Sequence, residues 1–179
     1  MNLANKISIV RILLVPIFIF FLIAEIENGN IIATIVFIIA SLSDSLDGYI
    51  ARHYNQITNF GKFIDPLADK LLVSAALICL VEMGKLPGWI VILIIGREFM
   101  VTGLRGIAAT NGMVIAASNW GKIKTVIQIV TIISLLINNY PFSLINFPFS
   151  TIAVWASVLI TIISGVDYLI KAKNVISLK

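Results

Sequence analysis

Six apolar stretches dominate this chain, at about residues 7–27, 31–54, 62–84, 88–110, 119–139 and 149–171. Each approaches the ~20 residues that a helix needs to cross a ~30 Å hydrocarbon layer. Short polar or turn-forming breaks separate them: 27–30, 55–61, 84–88, 111–119 and 138–148. Of all residues, 59% are hydrophobic and 12% charged, about half the charged fraction of a soluble globule. Such a chain lacks the polar surface to cover itself in water. The expectation is an all-α, polytopic membrane protein: one domain over 1–179, built as a bundle of six transmembrane helices. The first stretch contains Arg11 and no small-residue cleavage site, so it reads as a retained helix and not a secretory leader. The single Cys79 excludes an internal disulfide framework.

Charge placement predicts orientation. An even number of spans puts both termini on one side. That side then holds Lys6, Arg11, Arg52, Lys62, Lys70, Arg97, Arg105, Lys122, Lys124, Lys171, Lys173 and Lys179, all the basic residues except Lys85. The excess of positive charge predicts that both termini face the cytoplasm, in the cell membrane.

Several charges fall within the apolar stretches or at their ends: Asp44, Asp47, Asp65, Asp69, Arg97 and Arg105. An ionisable group inside a membrane helix costs about 2.5–3.5 kcal/mol by the lowest estimates and faces a bundle interior or a wet cavity. These six are therefore expected to converge on a polar cavity near the cytoplasmic surface. On a helical wheel Asp44, Asp47, Gly48 and Ala51 fall within about 100° of arc. Gly61, Asp65 and Asp69 recur every four residues on the next helix, again on one face. An antiparallel hairpin would bring both acidic stripes to the same depth.

Four carboxylates gathered closely do not all stay ionised without cations. Hard oxygen donors with no Cys or His cluster favour Mg²⁺ or Mn²⁺, and two ions bridging them would form a clamp for phosphoryl chemistry. Gly48, Ala51 and Gly61 leave room for something flat against the backbone, and Arg52 offers a planar donor for phosphate. Two blander readings of the aspartates are buried ion pairs with Arg or Lys, and an ion pathway through a divalent-cation transporter. Neither accounts for the small residues interleaved with the acids on both helices.

The run Asp44-x-x-Asp47-Gly48-x-x-Ala51-Arg52-x8-Gly61-x-x-x-Asp65-x-x-x-Asp69 fixes eight positions over 26 residues. It resembles the full motif of the CDP-alcohol phosphotransferase family, without departure. The resemblance implies a six-helix membrane enzyme with a two-metal site. It implies that Asp44, Asp47 and Asp65 chiefly bind metal, while Asp69 ligates metal and acts as general base. Gly48, Ala51, Arg52 and Gly61 would line the cytidine-diphosphate pocket, with Asn5 near the nucleotide. Ala4 departs from the proline usual before that asparagine. A homodimer is expected from the family alone.

Arg97 and Arg105 lie about 80° apart on one helix, and Lys122 and Lys124 open the next. Such cations suit an acceptor that is itself a phosphate: Arg offers a fork, Lys a point charge. For the two lysines, anchoring to anionic headgroups is the alternative. The segments Arg97-Glu98-Phe99, Gly103-Leu104-Arg105 and Gly121-Lys122-Ile123-Lys124-Thr125 resemble those of the family members that make phosphatidylglycerophosphate. The implied reaction is CDP-diacylglycerol plus glycerol 3-phosphate giving phosphatidylglycerophosphate and CMP, with membrane lipid as surroundings and no role for nucleic acid. The rival within the family is a cardiolipin synthase whose acceptor is phosphatidylglycerol. His53 reads as an interfacial side chain, Trp89, Tyr140 and Trp155 as interface or packing residues; Glu98 is left between orienting the neighbours of Arg97 and orienting Arg105, and Asp167 is open to pairing with a cation from another span.

Overall fold

The computed structural model describes the backbone of residues 3–24, 26–53, 59–110 and 118–176, and the side chains of 7–24, 26–43, 64, 67–110 and 118–173. The described residues are helical throughout their regular structure. The elements are α1 (Leu3–Ile23), α2 (Gly29–His53), α3 (Asn59–Glu82), α4 (Gly88–Thr110), α5 (Asn119–Leu136), a 3₁₀ turn (Phe142–Ile145) and α6 (Phe149–Ile176). Every apolar stretch of the sequence thus corresponds to one helix, with boundaries shifted by a few residues.

The shifts have local causes. The first helix stops at Ile23, before the expected 27, and Asn28 turns the chain in the left-handed region (φ 61°), which asparagine tolerates better than most residues. Gly29 then opens α2 so close to α1 that an added Cβ would lie 2.5 Å from the Phe21 carbonyl oxygen. The break expected at 55–61 is shorter than its composition suggested, because Asn59, Phe60 and Gly61 form the first turn of α3. Asparagine is among the residues preferred at helix starts. At the end of α3, Gly84 adopts φ +69°. Its N–H bonds to the Val81 carbonyl and that of Lys85 to the Leu80 carbonyl, both at 2.9 Å, closing the helix in a Schellman motif. The positive φ of Asn138 and Asn139 ends α5. Asn139 also braces the start of α6: its Oδ1 accepts the Ser150 N–H at 2.9 Å and its Nδ2 donates to the Phe147 carbonyl at 2.7 Å.

The chain forms two compact units. The first comprises residues 1–85 with 135–138. In it α1 packs against α2 and α3, and α2 against α3. The buried line of α1 is Ser8, Arg11, Val15 and Phe18, spaced three, four and three residues apart. Phe18 meets Phe37 of α2 with ring centroids 5.9 Å apart. Ala33 and Ala40 on α2 and Ala68 and Ala76 on α3 are fully buried, and small side chains of this kind let membrane helices approach closely. Lys85 donates to the Leu135 carbonyl at 3.1 Å, and burial pushes its ammonium pKa down.

The second unit comprises 86–134 with 139–179. Here α4 packs on α6 through a cluster of Val101, Ala108, Tyr168 and Ala172, with Leu104 against it. A hydroxyl tie joins α5 to α6: Thr131 Oγ1 donates to the Ala153 carbonyl at 3.0 Å.

Both units bury polar side chains among their apolar ones and leave large apolar side chains exposed. Ser8, Arg11, Gln128, Ser157, Thr161 and Ser164 are buried, while Leu13, Ile92, Phe99, Val126, Leu159 and Ile170 stand exposed, Ile92 at 74%. Apolar surface on this scale marks contact with another apolar phase. Among the described residues, one helical segment, Phe149–Lys173, is long and apolar enough to cross a membrane by length and composition alone. Ile7–Ile23 and Gly29–Ser43 are shorter apolar helices. Charged residues interrupt α2 to α5.

Candidate active site

The acidic motif lies on two helices of the first unit. Asp44, Asp47, Gly48, Ala51 and Arg52 occupy the C-terminal half of α2, and Gly61, Asp65 and Asp69 the N-terminal half of α3. The backbone is helical through both segments, so the three- and four-residue spacings of the motif fall on successive turns. The side chains of Asn5, Asp44, Asp47, Gly48, Ala51, Arg52, Gly61 and Asp65 lie outside the described residues. Asp69 is described and is half-buried, between fully buried Ala68 and Leu72. Among the described residues no three His, Cys, Asp or Glu side chains come together. The motif contributes only Asp69 to that set. As a donor set, four carboxylates on two packed helices fit hard divalent cations.

The second unit positions the cations of α4 and α5. Glu98 sits at their centre. Its Oε1 accepts from Arg97 Nη1 at 2.8 Å and from Lys124 Nζ at 2.6 Å, so a single oxygen joins α4 to α5. The second terminal nitrogen of Arg97 donates to Ser164 Oγ on α6. The Arg97 guanidinium also stands over the Tyr168 ring, 5.3 Å from its centroid, a cation–π distance. Tyr168 is itself held, since its Oη accepts the Ser118 N–H at 3.1 Å. Gly121 and Gly165 border this cluster: a Cβ on Gly121 would lie 3.5 Å from the Tyr168 ring, and one on Gly165 3.4 Å from Arg97 Cγ.

The four cations expected to act together divide into two kinds. The side chains of Arg97 and Lys124 are only 10% and 4% exposed and share Glu98. Arg105, two turns further along α4, and Lys122 are exposed, and neither makes an ion pair among the described residues. Glu98 partners Arg97 and Lys124, not Arg105. Asp167 pairs with Lys171 on its own helix at 2.8 Å, not with a cation from another span. Trp89 and Trp155 meet near the starts of α4 and α6 with ring centroids 6.2 Å apart. The roles of Ser164 and Tyr168 escaped sequence reasoning, because no local spacing pairs a residue of α6 with one 67 positions earlier.

The family likeness reaches well beyond the motif. Residues 1–163 match the family model described as CDP-alcohol phosphatidyltransferase. The chain belongs to the CDP-alcohol phosphatidyltransferase family. Within it, the chain is 50% identical to the Bacillus subtilis CDP-diacylglycerol–glycerol-3-phosphate 3-phosphatidyltransferase, over 95% of this chain and 94% of that protein. It is 38% identical to the Haemophilus influenzae protein of the same description, over 97% and 94% respectively. It is also 38% identical to a probable phosphatidylglycerophosphate synthase of Mycobacterium tuberculosis, over 96% of this chain and 81% of that protein. In this CDP-alcohol phosphatidyltransferase the acidic signature spans the end of α2 and the beginning of α3.

Proposed function

We propose that this protein transfers the phosphatidyl group of CDP-diacylglycerol to glycerol 3-phosphate, releasing CMP and forming phosphatidylglycerophosphate for phospholipid synthesis. The observation that carries this reading is the unbroken eight-position acidic motif on α2 and α3, in a chain half identical to a relative described by that reaction.

One domain, 1–179, carries the activity. It sits in the cell membrane as a six-span bundle with both termini and the site on the cytoplasmic side, and it pairs as a homodimer. The apolar exteriors and buried polar residues of both units support the membrane, and the distribution of Lys and Arg supports the orientation. The acyl chains of the donor lipid remain in the bilayer while nucleotide and acceptor arrive from the water.

Asp44, Asp47, Asp65 and Asp69 would hold two divalent cations, Mg²⁺ or Mn²⁺. Bound there, the cations would supply neutralising charge to the pyrophosphate and the leaving group. Asn5, Gly48, Ala51, Arg52 and Gly61 receive the nucleotide end of the lipid, the small residues making room and Arg52 donating to phosphate. Arg97, Arg105, Lys122 and Lys124 form the acceptor-phosphate set. The acceptor hydroxyl oxygen attacks the lipid-side phosphorus, the bond from that phosphorus to the CMP oxygen breaks, and the Asp69 carboxylate takes the hydroxyl proton.

The exposed Arg105 and Lys122 favour a small soluble phosphate over phosphatidylglycerol as acceptor, since two uncommitted cations match a dianion better than a phosphodiester. An acceptor panel with labelled CDP-diacylglycerol tests this. Glycerol 3-phosphate should support CMP release, while inositol 3-phosphate, serine and phosphatidylglycerol should not. Turnover with phosphatidylglycerol alone would make the protein a cardiolipin synthase, and cation flux without CMP release would make it a transporter.

A further inference from the structure

Among the described residues Glu98 is the acid shared by Arg97 and Lys124, and no step of the proposed reaction uses it. An acid beside cations that bind a phosphate lowers the local positive charge, so its presence needs a reason. The geometry supplies one. Arg97 and Lys124 come from different helices and repel each other, and both are nearly buried. A buried cation without a counter-charge is strongly disfavoured. One oxygen of Glu98 accepts a hydrogen bond from each, at 2.8 and 2.6 Å, and thereby holds two like charges side by side. Ser164 and the Tyr168 ring fix the remaining face of the guanidinium. The Arg97 Nε stays buried without a hydrogen-bond partner among the described residues. A phosphate dianion requires adjacent cations of this kind, already ordered before it arrives.

We propose that Glu98 is a positioning residue for the acceptor: it acts through Arg97 and Lys124, locking them as a cation pair that receives the acceptor's phosphate. This rests on the reading of glycerol 3-phosphate as acceptor.

The test compares wild type, Glu98→Gln and Glu98→Asp, purified in mixed micelles, with KM measured separately for glycerol 3-phosphate and CDP-diacylglycerol. Glu98→Gln should raise the KM for glycerol 3-phosphate roughly tenfold, the scale of a weakened hydrogen bond to a charged group. The KM for the lipid should stay within about twofold, and Glu98→Asp should recover part of the loss. A third variant, Glu98→Gln with Lys124→Met, removes the buried opposite charges together and guards against misfolding of the first. Its glycerol 3-phosphate KM should be raised at least as far as in Glu98→Gln, because one of the two phosphate-binding cations is now gone, while its lipid KM should stay within about twofold. An unchanged or lowered KM for glycerol 3-phosphate would show that Glu98 only damps the positive charge, overturning the proposal. An equal rise in both KM values would make it a folding residue and overturn it too. A wild-type protein inactive with glycerol 3-phosphate would instead overturn the acceptor reading, and Glu98's role with it.

Discussion

Lys124 Nζ lies 2.6 Å from Glu98 Oε1, an ion pair that ties the first turns of α5 to the middle of α4. The lysine is buried, so it behaves as part of a fixed cluster and not as a surface charge free to reach for a headgroup. This distinguishes it from exposed Lys122, only two residues away.

The difference between the two arginines of α4 is measurable. Arg105→Ala should raise the KM for glycerol 3-phosphate by roughly ten- to a hundredfold, corresponding to the ~1.5–3 kcal/mol of a hydrogen bond to a charged group. It should leave thermal stability in detergent unchanged, because Arg105 is exposed. Arg97→Ala should raise the same KM and also lower Tm, because it removes contacts to Glu98, Ser164 and Tyr168 together. Equal Tm values in the two variants would contradict the division into committed and free cations.

Asp44→Asn, Asp47→Asn and Asp65→Asn should each abolish turnover at ordinary Mg²⁺ or Mn²⁺, and a chelator should do the same to the wild type. Removing one carboxylate from a four-carboxylate set weakens hard-cation binding by removing both a donor and a charge. Near-normal turnover in any one of them would remove that residue from the ligand set.

Gly48→Leu and Ala51→Leu test the nucleotide side. Added bulk among the motif's small residues should raise the KM for CDP-diacylglycerol far more than that for glycerol 3-phosphate. An effect confined to the acceptor would place the cytidine elsewhere.

Asp69→Asn separates binding from chemistry. Three other carboxylates remain, so CDP-diacylglycerol should still bind, while the single-turnover rate should fall by about 10² or more, the usual scale for loss of a general base. Lost binding with an unchanged rate at saturation would make Asp69 a ligand only.

Much of the architecture was legible because it depends on composition over long windows. Six apolar runs became six helices, and Asn28, Gly84 and Asn139 ended or began elements for reasons visible in their residue types, which tolerate positive φ. The acidic motif was legible because its period is that of a helix. The cationic cluster was only half legible. Arg97 and Lys124 stood out as charges in apolar surroundings, but their commitment to Glu98 depends on α4, α5 and α6 coming together. The same holds for Tyr168, whose fit against Gly121 and Arg97 is a matter of packing that no single helix encodes. Asn59 shows the opposite limit: a polar residue in a turn-like run began a helix, because a helix start and a loop draw on the same residue types.

Product stoichiometry is the most direct test of whether this protein joins CDP-diacylglycerol to glycerol 3-phosphate. The purified protein would be given both substrates with Mg²⁺ or Mn²⁺, and CMP and the lipid product would be quantified together by mass spectrometry. CMP and phosphatidylglycerophosphate should form in equal amounts, and neither should form when glycerol 3-phosphate or the metal is left out. CMP released at the same rate without glycerol 3-phosphate, or a lipid product lacking the glycerol 3-phosphate moiety, would contradict it.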